Sequence, residues 1–128
     1  MTASVVVAPD LKPVLVDRIQ IAQVVINIVR NAIEAMEGAH ERSLAISVTA
    51  DSNSNGIEMR IADTGPGLSP LVKERMFQPF ITTKDRGMGL GLSICRDIVD
   101  GHGGSLSAEP NKPNGTIFVI RLPSADLS

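Results

Sequence analysis

The sequence predicts an α+β fold of two layers: one mixed, mostly antiparallel sheet with helices packed on one face. Two observations predict it. Apolar residues recur at helical spacing in two segments, and in several others they alternate with polar residues as in half-buried strands. Turn residues separate two of the alternating segments by the short distance that a hairpin needs. Helices and hairpins mixed along one chain favour a two-layer sandwich.

Composition indicates one domain with an aliphatic core. The chain has 128 residues, 43% of them hydrophobic, with three Phe and no Trp or Tyr. The net charge of −2 excludes a strongly basic nucleic-acid surface, and the scarcity of aromatic residues excludes a base-stacking platform. No apolar run has the length of a membrane helix, and no export signal is recognisable. The single cysteine excludes an intrachain disulfide and favours a reducing compartment.

The first helix is predicted from an apolar stripe between Asp17, which can cap its start, and Gly38, which ends it. The residues of the stripe share one helical face, which we expect to be buried. Its members are Ile19, Ala22, Ile26, Val29, Ile33 and Met36.

The strands are predicted from alternation and from the turn residues that bound them. In chain order they are 5–7, 14–16, 44–48, 57–61, a segment around Leu106, and 116–122. An Asn-Ser-Asn-Gly turn joins the third to the fourth. A second helix is predicted over about 90–101, and its buried face is made of Leu92, Cys95, Ile98 and Val99. We interpret Cys95 as a small core residue rather than a redox sensor.

A polar stripe also runs along the first helix. Gln23, Asn27, Asn31 and Glu34 follow one another at spacings that place them on one line. Asn disfavours a helix interior because its side chain competes for backbone hydrogen bonds. Amide oxygens are suitable ligands for Mg²⁺, which takes the rest of its shell from phosphates and water. The alternative is that these amides are satisfied by neighbouring backbone groups.

A buried carboxylate is predicted at the end of one strand. Asp63 has the same parity as the apolar residues of its strand, so its side chain points toward the core. Burial is costly unless donors satisfy it, and a purine amine or the hydroxyl of Thr116 would serve. The glycines of 63–67 would let a ring approach the backbone. The alternative is an Asx turn in which Asp63 only caps the strand.

A glycine-rich segment, 87–93, comes directly before the second helix. Backbone N–H groups at a helix N-terminus form an anion site, for which a phosphate chain is the expected guest. The spacing matches neither the dinucleotide-binding fingerprint nor a Walker A loop. The alternative is that this segment is a flexible hinge.

A polar segment before the glycine-rich segment resembles a lid, with Phe77 and Phe80 as anchors and Lys84 able to reach a phosphate.

These segments in this order resemble the ATP-binding catalytic domain of bacterial sensor histidine kinases. That domain belongs to the superfamily of gyrase, chaperone, histidine kinase and mismatch-repair ATPases. The resemblance covers about 13–123 within one domain, 1–128, and the run from Thr82 to Gly104 is most similar to the FixL and NtrB type. It implies the Bergerat two-layer α/β sandwich, with ATP and Mg²⁺ bound.

The resemblance also implies roles for individual residues. Asn31 matches the Mg²⁺ ligand, Asn27 a second ligand or phosphate contact, and Asp63 the acceptor of the adenine amine. Thr116 matches a hydroxyl beside that aspartate, and Lys84 a lid residue near the phosphates. The glycines that shape the adenine floor and the phosphate loop, together with one loop leucine, match Gly65, Gly67, Gly87, Gly89, Leu90 and Gly91.

One position indicates phosphotransfer rather than hydrolysis. In the gyrase-type relatives a Glu one helical turn before the Mg²⁺ asparagine activates water, and here that place is Asn27. An amide does not accept a proton from water. Glu34 is the alternative base, on the other side of Asn31. We therefore expect Asn31 and Lys84 to assist transfer of the γ-phosphoryl group by positioning and charge neutralisation.

The resemblance implies a histidine-bearing dimerisation domain as phosphoacceptor and a response regulator downstream. Neither that domain nor a sensor precedes the segment, so we expect a cytoplasmic catalytic domain, monomeric in isolation. His40 and His102 are interpreted as structural. Three alternatives remain: an anti-sigma-type serine kinase that sequesters its target, a docking module without catalysis, and a true ATPase.

Overall fold

The computed structural model describes residues 1–51, 56–67 and 88–125, with the helical backbone alone for 88–91. These residues form one five-stranded sheet and two helices. The elements are β1 (Thr2–Val7), α1 (Arg18–Ala35), β2 (Ser43–Ala50), β3 (Ile57–Asp63), α2 (Met88–Gly101), β4 (Ser105–Pro110) and β5 (Thr116–Leu122). The predicted α+β class is confirmed.

The sheet has the order β1-β2-β3-β5-β4 and is mostly antiparallel. Among the described strands, β1 alone runs parallel to its neighbour, with Thr2 opposite Ser43 and Val7 opposite Val48. The predicted strands around 44–48, 57–61 and 116–122 are confirmed, and so is the hairpin of β2 with β3. Its turn residues, 52–55, lie outside the described residues. Both helices contribute to the core on one face of the sheet.

The predicted strand at Val14–Val16 is wrong. Residues 11–17 have no regular structure, although Val14 and Val16 pack against the core as half-buried side chains. Residues 14–16 lie in a short connection, because Pro13 directly precedes them and Asp17 directly follows them as the cap of α1. The Asp17 carboxylate accepts hydrogen bonds from the backbone N–H groups of Ile19 and Gln20 at 3.0 and 3.1 Å. The predicted cap is therefore confirmed.

The predicted buried stripe of α1 is also wrong in its phase. Ile19, Ile26 and Ile33 are 81%, 55% and 43% exposed. The fully buried residues lie on another line, four residues apart, and they are Val24, Ile28, Ala32 and Met36. Only Met36 belongs to both sets. The helix is apolar on two sides, so periodicity identifies a helix without deciding which side faces the sheet.

The core joins α1, α2 and the inner face of the sheet. On α2 the predicted Leu92, Cys95 and Val99 are buried, and Ile98 is half-buried against them. The sheet contributes Leu44, Ile61, Leu106, Phe118, Ile120 and Leu122. These inward residues alternate along β5, which confirms the predicted parity of Thr116 with Phe118 and Ile120.

His102 joins the end of α2 to the start of α1. Its Nδ1 lies 2.8 Å from the Ile98 carbonyl oxygen, and its Nε2 lies 3.1 Å from the backbone nitrogen of Asp17. Because the Asp17 N–H donates, Nε2 is the acceptor and Nδ1 carries the proton. His102 is thus a structural residue, as expected. None of the helices in the described ranges is both long and apolar enough to span a membrane.

We predict that Ile28→Ala lowers the free energy of unfolding by about 3 kcal/mol, because it opens a cavity in the core. Ile26→Ala is the matched control on the same helix, and it should change that free energy by less than about 0.5 kcal/mol. Urea denaturation measures both values. Similar losses for the two variants would contradict the buried line assigned to α1.

Candidate functional site

The centre of the candidate site is the carboxylate of Asp63, the last residue of β3. It is 2% exposed. Its Oδ1 accepts hydrogen bonds from the backbone N–H of Gly65 at 2.9 Å and from that of Thr116 at 3.2 Å. One donor belongs to the turn that follows β3, and the other belongs to the start of β5. The carboxylate is therefore held by backbone groups on two elements.

Glycines allow the backbone to close around this carboxylate. A Cβ on Gly115 would lie 1.9 Å from the Asp63 carbonyl oxygen, which no side chain can occupy. A Cβ on Gly65 would lie 3.0 Å from the Ala35 carbonyl oxygen, at the end of α1. Gly67 and Gly115 both have positive φ, at 83° and 116°. The structure thus shows close packing of backbone on backbone at these glycines, and the approach of a ring at Gly65 and Gly67 stays a prediction.

Burial raises the pKa of the Asp63 carboxyl above its ordinary value. Desolvation is the largest cause, because it disfavours the ionised form. The hydrogen bonds from the Gly65 and Thr116 N–H groups act in the opposite direction and lower the pKa. Two donors to one oxygen do not fully compensate burial. A further donor from a ligand would stabilise the ionised carboxylate.

The turn after Asp63 is fastened to the rest of the fold by Thr64. Its Oγ1 accepts a hydrogen bond from the Ser43 N–H at 3.0 Å and lies 3.3 Å from the Glu41 carbonyl oxygen and 3.6 Å from Met36 Sδ. These partners extend from the C-cap of α1 to the first residue of β2. The turn therefore has a fixed position relative to the end of α1.

Asn27 on α1 contacts Cys95 on α2. Its Nδ2 donates to Cys95 Sγ at 3.7 Å, while the thiol points to the Val24 carbonyl oxygen at 3.9 Å. Burial raises the pKa of the Cys95 thiol, and the Asn27 hydrogen bond lowers it. The fully buried thiol supports its interpretation as a core residue. With its nitrogen turned to sulfur, Asn27 directs its amide oxygen elsewhere.

The two helices run antiparallel, as two contacts along their length show. Asp17 at the start of α1 meets His102 after the end of α2, and Asn27 meets Cys95 farther along. The step from Asn27 to Asn31 on α1 therefore runs toward the start of α2, whose first turn contains Gly89 and Gly91.

The structure thus brings Asp63, Gly65, Gly67 and Thr116 together, and it sets Asn27 and Asn31, both half-buried, one turn apart on α1, with Asn27 in contact with α2. The helix begins at Met88, two residues before the predicted start, so Gly89, Leu90 and Gly91 form its first turn. Among the described residues, no three His, Cys, Asp or Glu side chains are grouped to hold a metal ion. The predicted Lys84, Gly87, Phe77 and Phe80 lie outside the described residues.

Two details differ from the expectations for these residues. The contact of Thr116 with the Asp63 carboxylate is made by its backbone N–H, where sequence reasoning considered only the hydroxyl. Glu34 borders an open groove together with Val25, Ile26, Val29, Arg30 and Ile33. That groove is largely apolar and lies along α1.

Sequence reasoning missed one residue of the site, Asn111, in the loop between β4 and β5. Its Nδ2 donates to the Asp63 carbonyl oxygen at 2.7 Å. No periodicity marks it, because it lies in a Pro- and Gly-containing loop with a second Asn, Asn114, close by. The only available signal was the frequent use of Asn to bond backbone groups in turns.

Comparison with known proteins defines the class of this chain. The family described as "Histidine kinase-, DNA gyrase B-, and HSP90-like ATPase" matches residues 16–126. That match covers most of the chain, so the chain belongs to this family of ATPases. A nucleotide is accordingly the class of substrate that the fold accommodates.

Within the family, the similar proteins are sensor histidine kinases. Sensor protein FixL of Bradyrhizobium diazoefficiens is 46% identical over 118 residues, which are 92% of this chain and 23% of FixL. The sensory histidine kinase/phosphatase NtrB of Rhizobium meliloti is 34% identical over 129 residues, covering 91% of this chain and 34% of NtrB. The chain therefore spans well under half the length of these relatives. The resemblance to the FixL and NtrB type is confirmed.

Solved structures agree with this placement. The catalytic domain of histidine kinase ThkA, in a nucleotide-free form, has a TM-score of 0.81 and 38% identity, covering 96% of this chain and 78% of that one. Full-length ShkA in complex with AMPPNP has a TM-score of 0.82 and 26% identity, covering 99% of this chain and 26% of ShkA. The predicted two-layer fold is thus the fold of histidine kinase catalytic domains.

The raised pKa of Asp63 leads to a prediction about stability. The folded state retains the Asp63 proton to higher pH than the unfolded state, so ionisation of Asp63 lowers the free energy of unfolding as the pH rises through the interval between the two pKa values. We expect Asp63→Asn, which keeps an acceptor oxygen, to be at least as stable as the native protein at pH 7. Any excess in the free energy of unfolding of this variant over the native protein should vanish as the pH falls below about 3.9, where Asp63 is protonated in both the folded and the unfolded state.

Urea denaturation at a series of pH values measures the difference. Asp100→Asn, on the exposed surface of α2, is the control for removing one negative charge. A variant Asp63→Asn that is clearly less stable than the native protein at pH 7, with the deficit shrinking in acid, would contradict a raised pKa.

Proposed function

We propose that this chain binds ATP with Mg²⁺ and donates the γ-phosphoryl group to a histidine on a separate dimerisation domain, as the catalytic part of a sensor kinase. The observation that carries the proposal is the buried Asp63 carboxylate. It retains the capacity to accept a further hydrogen bond, and the exocyclic amine of adenine is a donor of the right kind. Because ATP is the substrate, the proposal includes a cytoplasmic location.

The glycines place the turn that carries this carboxylate. A Cβ on Gly65 would lie 3.0 Å from the Ala35 carbonyl oxygen and one on Gly67 would lie 3.3 Å from the Gly115 carbonyl oxygen, so the turn packs closely against the end of α1 and the β4–β5 loop. Thr116 is buried beside Asp63 at the start of β5. We assign the adenine base of ATP to this part of the site.

The residues on α1 fit a hard cation. Asn31 is half-buried, and Asn27 has its nitrogen engaged by Cys95, which leaves its oxygen as the free end of the amide. Mg²⁺ accepts amide oxygens and takes its remaining ligands from phosphate and water. When bound there, it would neutralise charge on the transferring phosphoryl group. We assign Asn31 and Asn27 to this cation.

The phosphate chain is assigned to the start of α2. Gly89, Leu90 and Gly91 form the first helical turn, where unpaired N–H groups and the helix dipole favour an anion. Lys84 and Gly87, on sequence grounds alone, would complete this part of the site. Asn31 lies one turn beyond Asn27 in the direction of this turn, so we place the cation next to the phosphates.

The site favours transfer to a nucleophile over hydrolysis by water. Asn27 occupies the position of the base in gyrase-type relatives, and an amide cannot accept a proton from water. A neutral imidazole attacks without a base in this domain. The bond between phosphorus and the bridging oxygen breaks, a bond to imidazole nitrogen forms, and ADP leaves. The histidine-bearing dimerisation domain and a response regulator are the proposed partners.

The test supplies a histidine-bearing dimerisation domain of a sensor histidine kinase in trans, with γ-labelled ATP and Mg²⁺. We expect a phosphorylated acceptor whose label is lost in acid and kept in base, as for phosphohistidine. Asn31→Ala should slow transfer on the order of 100-fold. Asn114→Ala, in an exposed loop position, should retain the native rate.

Three results would contradict the proposal. An acid-stable label would indicate a serine kinase, rapid release of inorganic phosphate without acceptor would indicate a true ATPase, and failure to bind ATP would indicate a docking module.

A further inference from the structure

Asn111 connects the β4–β5 loop to the residue at the centre of the site. This loop, residues 111–115, follows the last pair of the β4–β5 ladder, Pro110 opposite Thr116. The Asn111 side chain donates from Nδ2 to the Asp63 carbonyl oxygen at 2.7 Å, the shortest of the hydrogen bonds around Asp63. The β4–β5 loop is therefore joined directly to Asp63, the residue that carries the buried carboxylate.

The Asp63 carbonyl needs this donor. The ladder of β3 with β5 ends at Ala62 opposite Ile117, so the Asp63 carbonyl lies one residue beyond it. A backbone carbonyl at a buried residue is costly without a hydrogen bond. Gly115 approaches this oxygen so closely that a Cβ would lie 1.9 Å from it. The side chain of Asn111 reaches the same oxygen from within the same loop.

Asn111 also closes its own loop. Its backbone N–H donates to the Gly115 carbonyl oxygen at 3.0 Å, and its Oδ1 accepts from the Lys112 N–H at 2.9 Å. Both ends of the side-chain amide are thus used, which fixes its orientation. The loop closed in this way delivers Gly115 and then Thr116, whose N–H donates to Asp63 Oδ1 at 3.2 Å.

We propose that Asn111 is a positioning residue for base recognition: by holding the backbone of Asp63 against the β4–β5 loop, it sets the carboxylate where it accepts the amine of adenine. The inference rests on the proposed function and assigns Asn111 no contact with the nucleotide. It predicts that Asn111 controls the preference for adenine over a base without the amine. Asn111 should have little influence on the part of the binding affinity that comes from the phosphates.

The experiment measures the dissociation constants of ATP and ITP, because inosine carries a carbonyl in place of the amine. Two variants are compared with the native chain. Asn111→Ala removes the whole side chain, whereas Asn111→Asp keeps the acceptor for Lys112 and replaces the donor alone. Asn114→Ala and Asn114→Asp, at an exposed position of the same loop, are the matched controls for truncation and for added charge.

We expect both Asn111 variants to reduce the ITP-to-ATP ratio of dissociation constants by about five- to tenfold, while the affinity for ITP stays within about twofold. The Asn114 variants should keep the native ratio. Amide hydrogen exchange in the nucleotide-free protein should show faster exchange of the Thr116 N–H in the Asn111 variants, relative to Phe118 farther along the same strand. This second measurement does not depend on nucleotide binding.

A native ratio in both Asn111 variants would overturn the inference, as would equal weakening of ATP and ITP, which is what a merely structural role produces. If Asn111→Ala does not fold, the ITP-to-ATP ratio of Asn111→Asp alone decides whether the inference holds. A native chain with no preference for ATP would overturn the proposed function together with this inference. A native preference that survives in the Asn111 variants would overturn the inference alone.

Discussion

The site depends on one interaction, the acceptance of two backbone hydrogen bonds by the buried carboxylate of Asp63. The donors, Gly65 and Thr116, belong to a turn and to a strand that are far apart in the chain. The carboxylate therefore fixes the distance between the end of β3 and the start of β5. Burial of this carboxylate costs free energy of desolvation, which the two donors offset only in part. This incomplete compensation is the basis on which we propose that Asp63 accepts a hydrogen bond from a ligand.

The second constraint is the antiparallel pair of helices. His102 joins the start of α1 to the end of α2, and Cys95 joins the two helices near Asn27. These contacts determine the direction of α1 relative to α2. The C-terminal end of α1 and the glycine-containing first turn of α2 therefore lie at one end of the helix layer. Thr64 and Gly65 bring the Asp63 turn to the same end, at Ala35 and Met36.

Much of the fold could be predicted from the sequence because alternation and turn residues are local signals. The strands β2, β3 and β5 were predicted in this way, and Asp63 was predicted to be buried from its parity alone. The phase of α1 could not be predicted. Its apolar residues lie on two sides, and the choice between Ile26 and Ile28 depends on which side meets the sheet. Local periodicity contains no information about that partner.

The candidate site was partly predictable for a similar reason. Asp63 and the glycines lie in recognisable turn motifs, so their residue types reveal them. Asn111 was not predictable, because its role depends on where the loop places its amide relative to a carbonyl that is distant in the chain. The same holds for the Thr116 N–H, which every residue type except proline possesses.

The most direct measurement is the titration of the Asp63 carboxyl carbon by NMR, with and without ATP, and with ITP as the control. We expect a pKa above the ordinary value in the free protein, and a pKa that falls when ATP binds, because the adenine amine stabilises the ionised form. ITP should lower it far less. A free-protein pKa at the ordinary value, or the same response to ATP and ITP, would contradict the assignment of Asp63 as the acceptor of the adenine amine.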